Sequence, residues 1–579
     1  MKRLIGLLIM VSLIVVAGTA FAAELTVGSR YYTKFLDRNT YDVTKYATTG
    51  NGYGIRSELE LTLNGKVSDR AEMGGRILTV WDPSGVPMGS YSDWQSWFNA
   101  NANLWQVRGM WVKFRPATIP TLNSILIGST DLGMFNAWTI GKIRWIDRDN
   151  ARIVLGEGTL GNSTYNIGMT PLPPFMGPDW NQAATNPDPR RSWIYGANLS
   201  LPLSTVANVK VNGSRVLAMQ QDPNTTDTTV GTKRFDDMVA TADILLTPNP
   251  VYNISALVGA SRYTESKSII GTPQVWWPHI PYSDTACYGS ALKVTAIAND
   301  PLGIGLTLKG EVYDVSPDFI SVMAARRETN VLLSEGHIRY GQLDQWGGRA
   351  DNGSTWRGDV GFTPAIGPNL SAGFVDNGIT DWNETSYQSI VGTNGITLIP
   401  EYRAGALGIK GELSYTGNKL NSQSVDTAKY FWSAAKVNQS SLLGAVRVDY
   451  LLPYGNGVGL FGKAKMVTWS DGVDTTIATD DLSLADTEMY AGASYQLTDE
   501  IGLTGGYKTL AYVNKGTGLN QDTKTKDFSG GMVFAEVKAN VGGVDIGCAY
   551  EKVDGTDNAP ATPVTTKDMR FKATVEVKI

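Results

Sequence analysis

Arginine and glutamate recur two residues apart, or at positions of matching strand parity, near the start of the chain: Arg30, then Arg56, Glu58 and Glu60, then Arg76 and Arg108. A spacing of two puts side chains on one face of a β-strand. Guanidinium and carboxylate groups facing each other across a constriction focus a field that orients polar or anionic solutes. The same groups, paired across neighbouring strands, stiffen a wall; the two roles are compatible. A second charged set comprises Asp131, Arg144, Asp147, Arg148, Asp149 and Arg152, interspersed with Trp138, Ile143, Trp145 and Ile146. A segment this apolar is expected to fold inward and narrow whatever space the strands enclose. The other reading makes 152–156 one more strand with the charges at its rim.

Other chemistry is thin. Trp94, Trp97 and Phe98 follow Asp93 at the spacing of one side of a short capped helix. Their rings can stack on sugar faces, or they can pack a loop onto the mouth of the fold. Trp276-Trp277-Pro278 offers the same two readings. Asp471, Asp474, Asp480, Asp481, Asp486 and Glu488 form a run without Lys or Arg, but not at EF-hand spacing, so a solvated loop is the better reading and no metal site is predicted. His279 and His337 are the only histidines, with no Ser- or Cys-centred motif beside either. Haem-attachment, P-loop and zinc spacings are missing too. The expectation is a protein that is not an enzyme and carries no cofactor.

The elements that must position these residues are strands. In the stretch from Asp568 to Ile579, Met569, Phe571, Ala573, Val575, Val577 and Ile579 alternate with Arg570, Lys572, Thr574, Glu576 and Lys578. The same two-faced pattern recurs from Ile55 to Lys66 and then in pairs: 234–247 with 251–263, 288–298 with 303–315, 441–452 with 457–469, 486–497 with 501–513, and 527–540 with 543–553. Each pair is joined by a short turn such as Pro248-Asn249-Pro250 or Gly542-Gly543. Long polar segments near 34–52, 82–103, 264–287, 316–354, 417–440, 470–485, 514–526 and 554–567 separate the pairs. Short turns alternating with long loops put all turns at one end and all loops at the other, as in a membrane barrel. The count is about 22 strands, within a range of 16–24, with 131–191 and 378–400 open. Tyr31, Tyr32, Trp81, Trp111, Tyr263, Tyr313, Trp469, Tyr512 and Tyr550 lie near strand ends, where interfacial aromatic girdles are expected.

The compartment is legible at the front. Lys2 and Arg3, the apolar run Leu4 to Ala17, and Ala20-Phe21-Ala22 read as a cleaved secretory signal over residues 1–22. Formal net charge is −5, and −7 once Lys2 and Arg3 are removed, which argues against a nucleic-acid partner. Cys287 and Cys548 are too few for a disulfide framework, and whether they meet is left open.

Signal, two-faced strands, segregated turns and the terminal strand together resemble large Gram-negative outer-membrane porins, such as the alginate-export and substrate-selective groups. The resemblance is one of architecture over the whole of 23–579, not of a diagnostic motif. Porin chains typically end in an aromatic residue; this one ends in Ile579. The resemblance implies a closed antiparallel transmembrane β-barrel whose 131–191 region contains a lumen-constricting loop. It implies passage of small hydrophilic or anionic solutes, sugars included. The implied partners are the lipid bilayer, lipopolysaccharide and the outer-membrane assembly machinery, with the oligomeric state open. The rival readings are a surface-exposed barrel that binds a partner and a barrel that sheathes an electron-transfer cytochrome.

Overall fold

Period-two alternation commits the chain to strands, because each such stretch has an apolar face to bury or cover with lipid and a polar face to wet. The computed structural model describes residues 24–40, 52–81, 105–130, 132–136, 138–140, 151–171, 192–221, 231–265, 286–316, 319, 321, 393–418, 440–452, 458–470, 483–515 and 524–578. The first strands are β1 (Glu24–Thr40), β2 (Gly52–Ser68), β3 (Ala71–Trp81), β4 (Trp105–Phe114), β5 (Leu122–Thr130), β6 (Ala151–Leu160) and β7 (Ser163–Pro171). Next come β8 (Trp193–Ser204), β9 (Ala207–Gln221), β10 (Gly231–Leu246), β11 (Tyr252–Glu265), β12 (Cys287–Ala298), β13 (Leu306–Val315), β14 (Thr393–Ala404) and β15 (Leu407–Asn418). The last are β16 (Ser440–Leu451), β17 (Val458–Ser470), β18 (Ser483–Gln496), β19 (Ile501–Lys515), β20 (Lys524–Val541), β21 (Val544–Asp557) and β22 (Val564–Lys578).

Each strand pairs antiparallel with its sequence neighbours, and β1 also pairs with β22, from Arg30 opposite Lys578 to Thr40 opposite Asp568. The 22-stranded sheet is thus closed and leaves no free edge. Short turns share one end. Gly542 and Gly543, with φ of 59° and 85°, make the two-residue reversal between β20 and β21, where positive φ matches the strand twist. The Asn249 side-chain oxygen accepts the Val251 and Tyr252 N–H at 2.9 and 3.0 Å before β11. The Asp300 carboxylate accepts the Gly305 and Leu306 N–H at 2.7 and 3.2 Å before β13.

The open region 131–191 contains the β6–β7 hairpin, and β14 begins inside 378–400. Two expected loops are shorter than their composition suggests. β1 runs on to Thr40 within 34–52, and β21 and β22 extend into 554–567, where Thr556 stands opposite Thr565. Ladder hydrogen bonds hold polar stretches as strands beyond the reach of any apolar face.

Curvature and chemistry together identify the outside. On one face Met110, Ile127, Ile167, Val258, Leu413 and Val533 are 48–67% exposed, as on a convex surface that splays its side chains. The concave face crowds them: Ile153, Leu155, Ile194 and Val216 are 1–3% exposed. The outer apolar face is continuous from strand to strand; Val312, Ile396, Tyr415 and Leu442 stand in one row across β13 to β16. An exposed apolar belt around a closed barrel is the surface a bilayer covers. Tyr31 belongs to it, but Tyr263 and Tyr313 are buried on the inner face, so these two are not part of an interfacial girdle. Strand parity, not nearness to a strand end, decides which way an aromatic ring points.

Candidate functional site

The inner face of the first strands is a set of ion pairs that join adjacent strands or, from Lys113 on β4 to Glu157 on β6, reach across β5. Arg30 Nε donates to Glu576 at 2.6 Å across the β1–β22 seam. Arg76 donates to both Glu60 oxygens, at 3.0 and 2.6 Å, across β2–β3. Arg115 bonds Glu72 at 2.7 Å, and Lys113 bonds Glu157 at 2.6 Å, with Ser124 donating to the same carboxylate. Arg30, Glu60 and Arg76 therefore come together on one face, with each arginine held by a carboxylate. Arg56 and Glu58 stand in β2 opposite Lys34 and Tyr32. Arg108 falls at a bulge, where the register steps from Arg76–Gly109 to Ile77–Val107 and the alternation is broken. Arg152 stands in β6 opposite Ser129. Asp131, Arg144, Asp147, Arg148 and Asp149 lie outside the described residues, as do Trp94, Trp97 and Phe98.

Beyond β5 the chain turns back onto its own wall. The described residues of this stretch, 132–136 and 138–140, make two tight hydrogen bonds: Phe135 N–H donates to Leu132 O at 3.1 Å, and Ile140 N–H to Asn136 O at 2.9 Å. Leu132 adopts φ of 60°, a backbone state that leucine rarely takes, and its side chain is fully buried. Phe135, Trp138 and Ile140 are buried with it against the inner faces of β8 and its neighbours. Each such side chain contributes about 1.5–3 kcal/mol on full burial. Room for them comes from glycine. A Cβ on Gly196 would lie 2.7 Å from Ile140 Cδ1 and 2.9 Å from the Phe135 ring.

Polar groups fix the segment's position. Asn198 and Lys210 both donate to Met134 O at 2.9 Å. Asn136 donates to Asp243 at 2.7–2.8 Å, and Asn212 donates to the same carboxylate at 2.7 Å. A second piece of chain joins from β13: Phe319, fully buried, meets Trp138 edge-on at 6.2 Å, and Ser321 donates to Trp138 O at 2.7 Å. Gly259 lies 3.2 Å from the Phe319 ring, measured from where its Cβ would be.

A further charged array, missed by sequence reasoning, lines β12 to β17. Lys293 pairs with the buried Glu311 at 2.9 Å, and Thr295 donates to the same carboxylate at 3.2 Å. Lys309 stands one inward position from Glu311 and interacts electrostatically with that carboxylate and with Glu412. Glu401 holds Arg403 at 2.7 Å, and Arg447 bonds Asp449 at 2.6 Å while stacking 5.7 Å above Phe461. These residues are scattered over five strands distant in sequence. The one signal for them was the polar parity of each strand taken separately.

No protein-family model matches the chain, and no curated protein matches its sequence. Among solved structures it is similar to OpdO of Pseudomonas aeruginosa, at 7% identity over 96% of this chain and 98% of that one, with a TM-score of 0.34. It is also similar to the siderophore receptor PirA of the same organism, at 8% identity over 95% and 80%, TM-score 0.39. OmpT, an outer membrane protein of Vibrio cholerae, matches at 9% identity over 73% and 99%, TM-score 0.29. The sealed ring, the apolar belt outside and the charged face inside make the chain a membrane-spanning β-barrel of the outer-membrane type.

Proposed function

We propose that the barrel is a channel through which small hydrophilic solutes diffuse, with anions favoured. The observation that carries this reading is the inner face itself, a closed ring bearing Arg, Lys, Glu and Asp on many of its strands, with the described residues of 132–140 packed against one side of it. Fixed charges along a confined path select by sign and orient polar solutes without a bound cofactor. Lys309 lies within electrostatic reach of Glu311 and Glu412 and of Lys293 and Lys410, and the surplus of cations in that group of five supports the preference for anions.

In this proposal the constriction is the part of 131–157 that precedes β6, since 151–157 is a strand of the wall, and the set Arg30, Arg56, Glu58, Glu60, Arg76, Arg108 and Arg152 lines the path to it. Trp94, Trp97 and Phe98 are proposed to offer ring faces to sugars. The leader 1–22 would be cleaved on export, and the assembly machinery would insert the barrel among lipopolysaccharide and phospholipid.

Purified barrel in planar bilayers tests the reading. The expected result is a steady ohmic current, anion-selective in a salt gradient, that small sugars or organic anions reduce. A sealed barrel with no current would overturn it.

A further inference from the structure

High on the outer wall, five residues stand directly opposite one another in a single row: Tyr195, Arg215, Met238, Arg262 and Tyr288, on β8 to β12. They share the parity of the apolar belt, so the two arginines belong to the lipid-facing side. β9 begins at Ala207 and β11 at Tyr252. The arginines therefore lie about 8–10 residues above the short turns, roughly 20–25 Å up at ~3.3 Å per residue and ~40° tilt. That is the far edge of the apolar band, where the outer-leaflet headgroups sit. A lipid-facing arginine is costly at the midplane and easily accommodated at the interface.

The donors there are only partly used. Arg215 gives Nε and Nη2 to Asp236 at 2.9 Å each; the carboxylate is 5% exposed and the guanidinium side chain 44%. Its Nη1 takes no part in that pair. Arg262 has no ion-pair or hydrogen-bond partner among the described residues. Tyr195 and Tyr288, at 40% and 69% exposure, close the two ends of the row. Immediately toward the turns runs a row of small residues, Ala197, Gly213, Ala240, Ala260 and Ser290, again directly opposite one another. Larger residues follow below it, among them Leu199, Val211, Val258 and Leu292. The wall thus has a shallow apolar step beneath a cationic shelf. Lys552, at a similar height on β21, pairs with Asp554 at 3.4 Å and has no second cation beside it in its row.

We propose that the Arg215–Arg262 row binds the phosphorylated headgroup of an outer-leaflet lipid. Arg262 and the Nη1 of Arg215 would grip a phosphate, the tyrosines would flank it, and an acyl chain would lie along the small-residue step. The proposal needs only the membrane-spanning barrel; it does not depend on whether the lumen conducts.

The test uses the full barrel folded in dodecyl maltoside and titrated with diphosphoryl lipid A, with dephosphorylated lipid A and phosphatidylcholine as comparisons, read by native mass spectrometry. Wild type should retain the diphosphoryl lipid preferentially. Arg262→Gln should weaken that retention about tenfold, the usual scale of one charge-assisted hydrogen bond, and Arg262→Lys should recover part of it. Lys552→Gln should leave it unchanged, and unboiled gel migration verifies that each variant is folded. Equal retention by Arg262→Gln, equal binding of the dephosphorylated lipid, or an equal loss in Lys552→Gln would each overturn the proposal. Displacement of the lipid by millimolar inorganic phosphate would overturn its assignment to a lipid headgroup.

Discussion

The inner wall has two unlike sides. Across β6 to β13 a band of inward residues is apolar or small, namely Ile153, Leu155, Ile194, Gly196, Val216, Val239, Gly259 and Ala291, and charged residues such as Glu157, Asp243, Lys293 and Glu311 stand beside it on the same strands. From β14 round to β3 charged inward residues recur on many of the strands, including Glu401, Lys410, Glu412, Arg447, Glu536, Glu576, Arg30, Glu60 and Arg76, with Ile399, Met532 and Phe534 among them. Both sides present the same apolar belt to lipid, so the difference does not come from the membrane. It comes from what lies on the inner surface. The apolar side is where Leu132, Phe135, Trp138, Ile140 and Phe319 return to cover it. A concave wall left bare carries charge; a covered one forms a core inside the ring.

The comparison presupposes a sealed circuit, so the largest effect should come from opening it. Deleting 564–579 removes the partner of both β1 and β21, and no heat-modifiable barrel should be recovered from outer-membrane fractions. Next, Trp138→Ala should detach the covering segment. Large-to-small changes at such sites cost about 3–5 kcal/mol, and here the loss should appear as raised conductance and new protease cuts within 132–140, with the wall intact. Unchanged conductance would mean that the segment does not limit the path. Gly196→Val should act in the same direction but more weakly, about 1–3 kcal/mol, by crowding Ile140 and Phe135. On the bare side, Arg76→Gln breaks a partly exposed pair with Glu60. Stability should change by less than about 1 kcal/mol, while the reversal potential in a salt gradient should shift toward cations. A larger stability loss from Arg76→Gln than from Trp138→Ala would reverse the contrast between the two sides.

Much of this was legible in the sequence, for a simple reason. Strand parity is a local property, and a stretch such as Phe571 to Lys578 declares both its faces without reference to anything else. The turns were equally plain, since Gly542-Gly543 and Asn249 carry their own geometry. Parity also placed Arg30, Glu60 and Arg76 on one face. It could not show that Glu576 would meet Arg30, because that contact depends on closure. Nor could it reveal Asp243 as the anchor for Asn136, or Phe319 as the partner of Trp138. Those contacts join stretches far apart in the chain, and no period links them. Arg108 shows the opposite failure: a single bulge breaks an alternation that the sequence alone extends without interruption.

The seam between Arg30 and Glu576 also sets a timetable. The two residues are 546 positions apart. At ~5–20 residues per second of synthesis, the second emerges about half a minute to two minutes after the first. For all that interval β1 lacks one of its two neighbours, and the strands made meanwhile carry an apolar face with no bilayer around it. A chain built this way is most exposed before it is finished, and no contact described in the completed ring can protect it until β22 has been made.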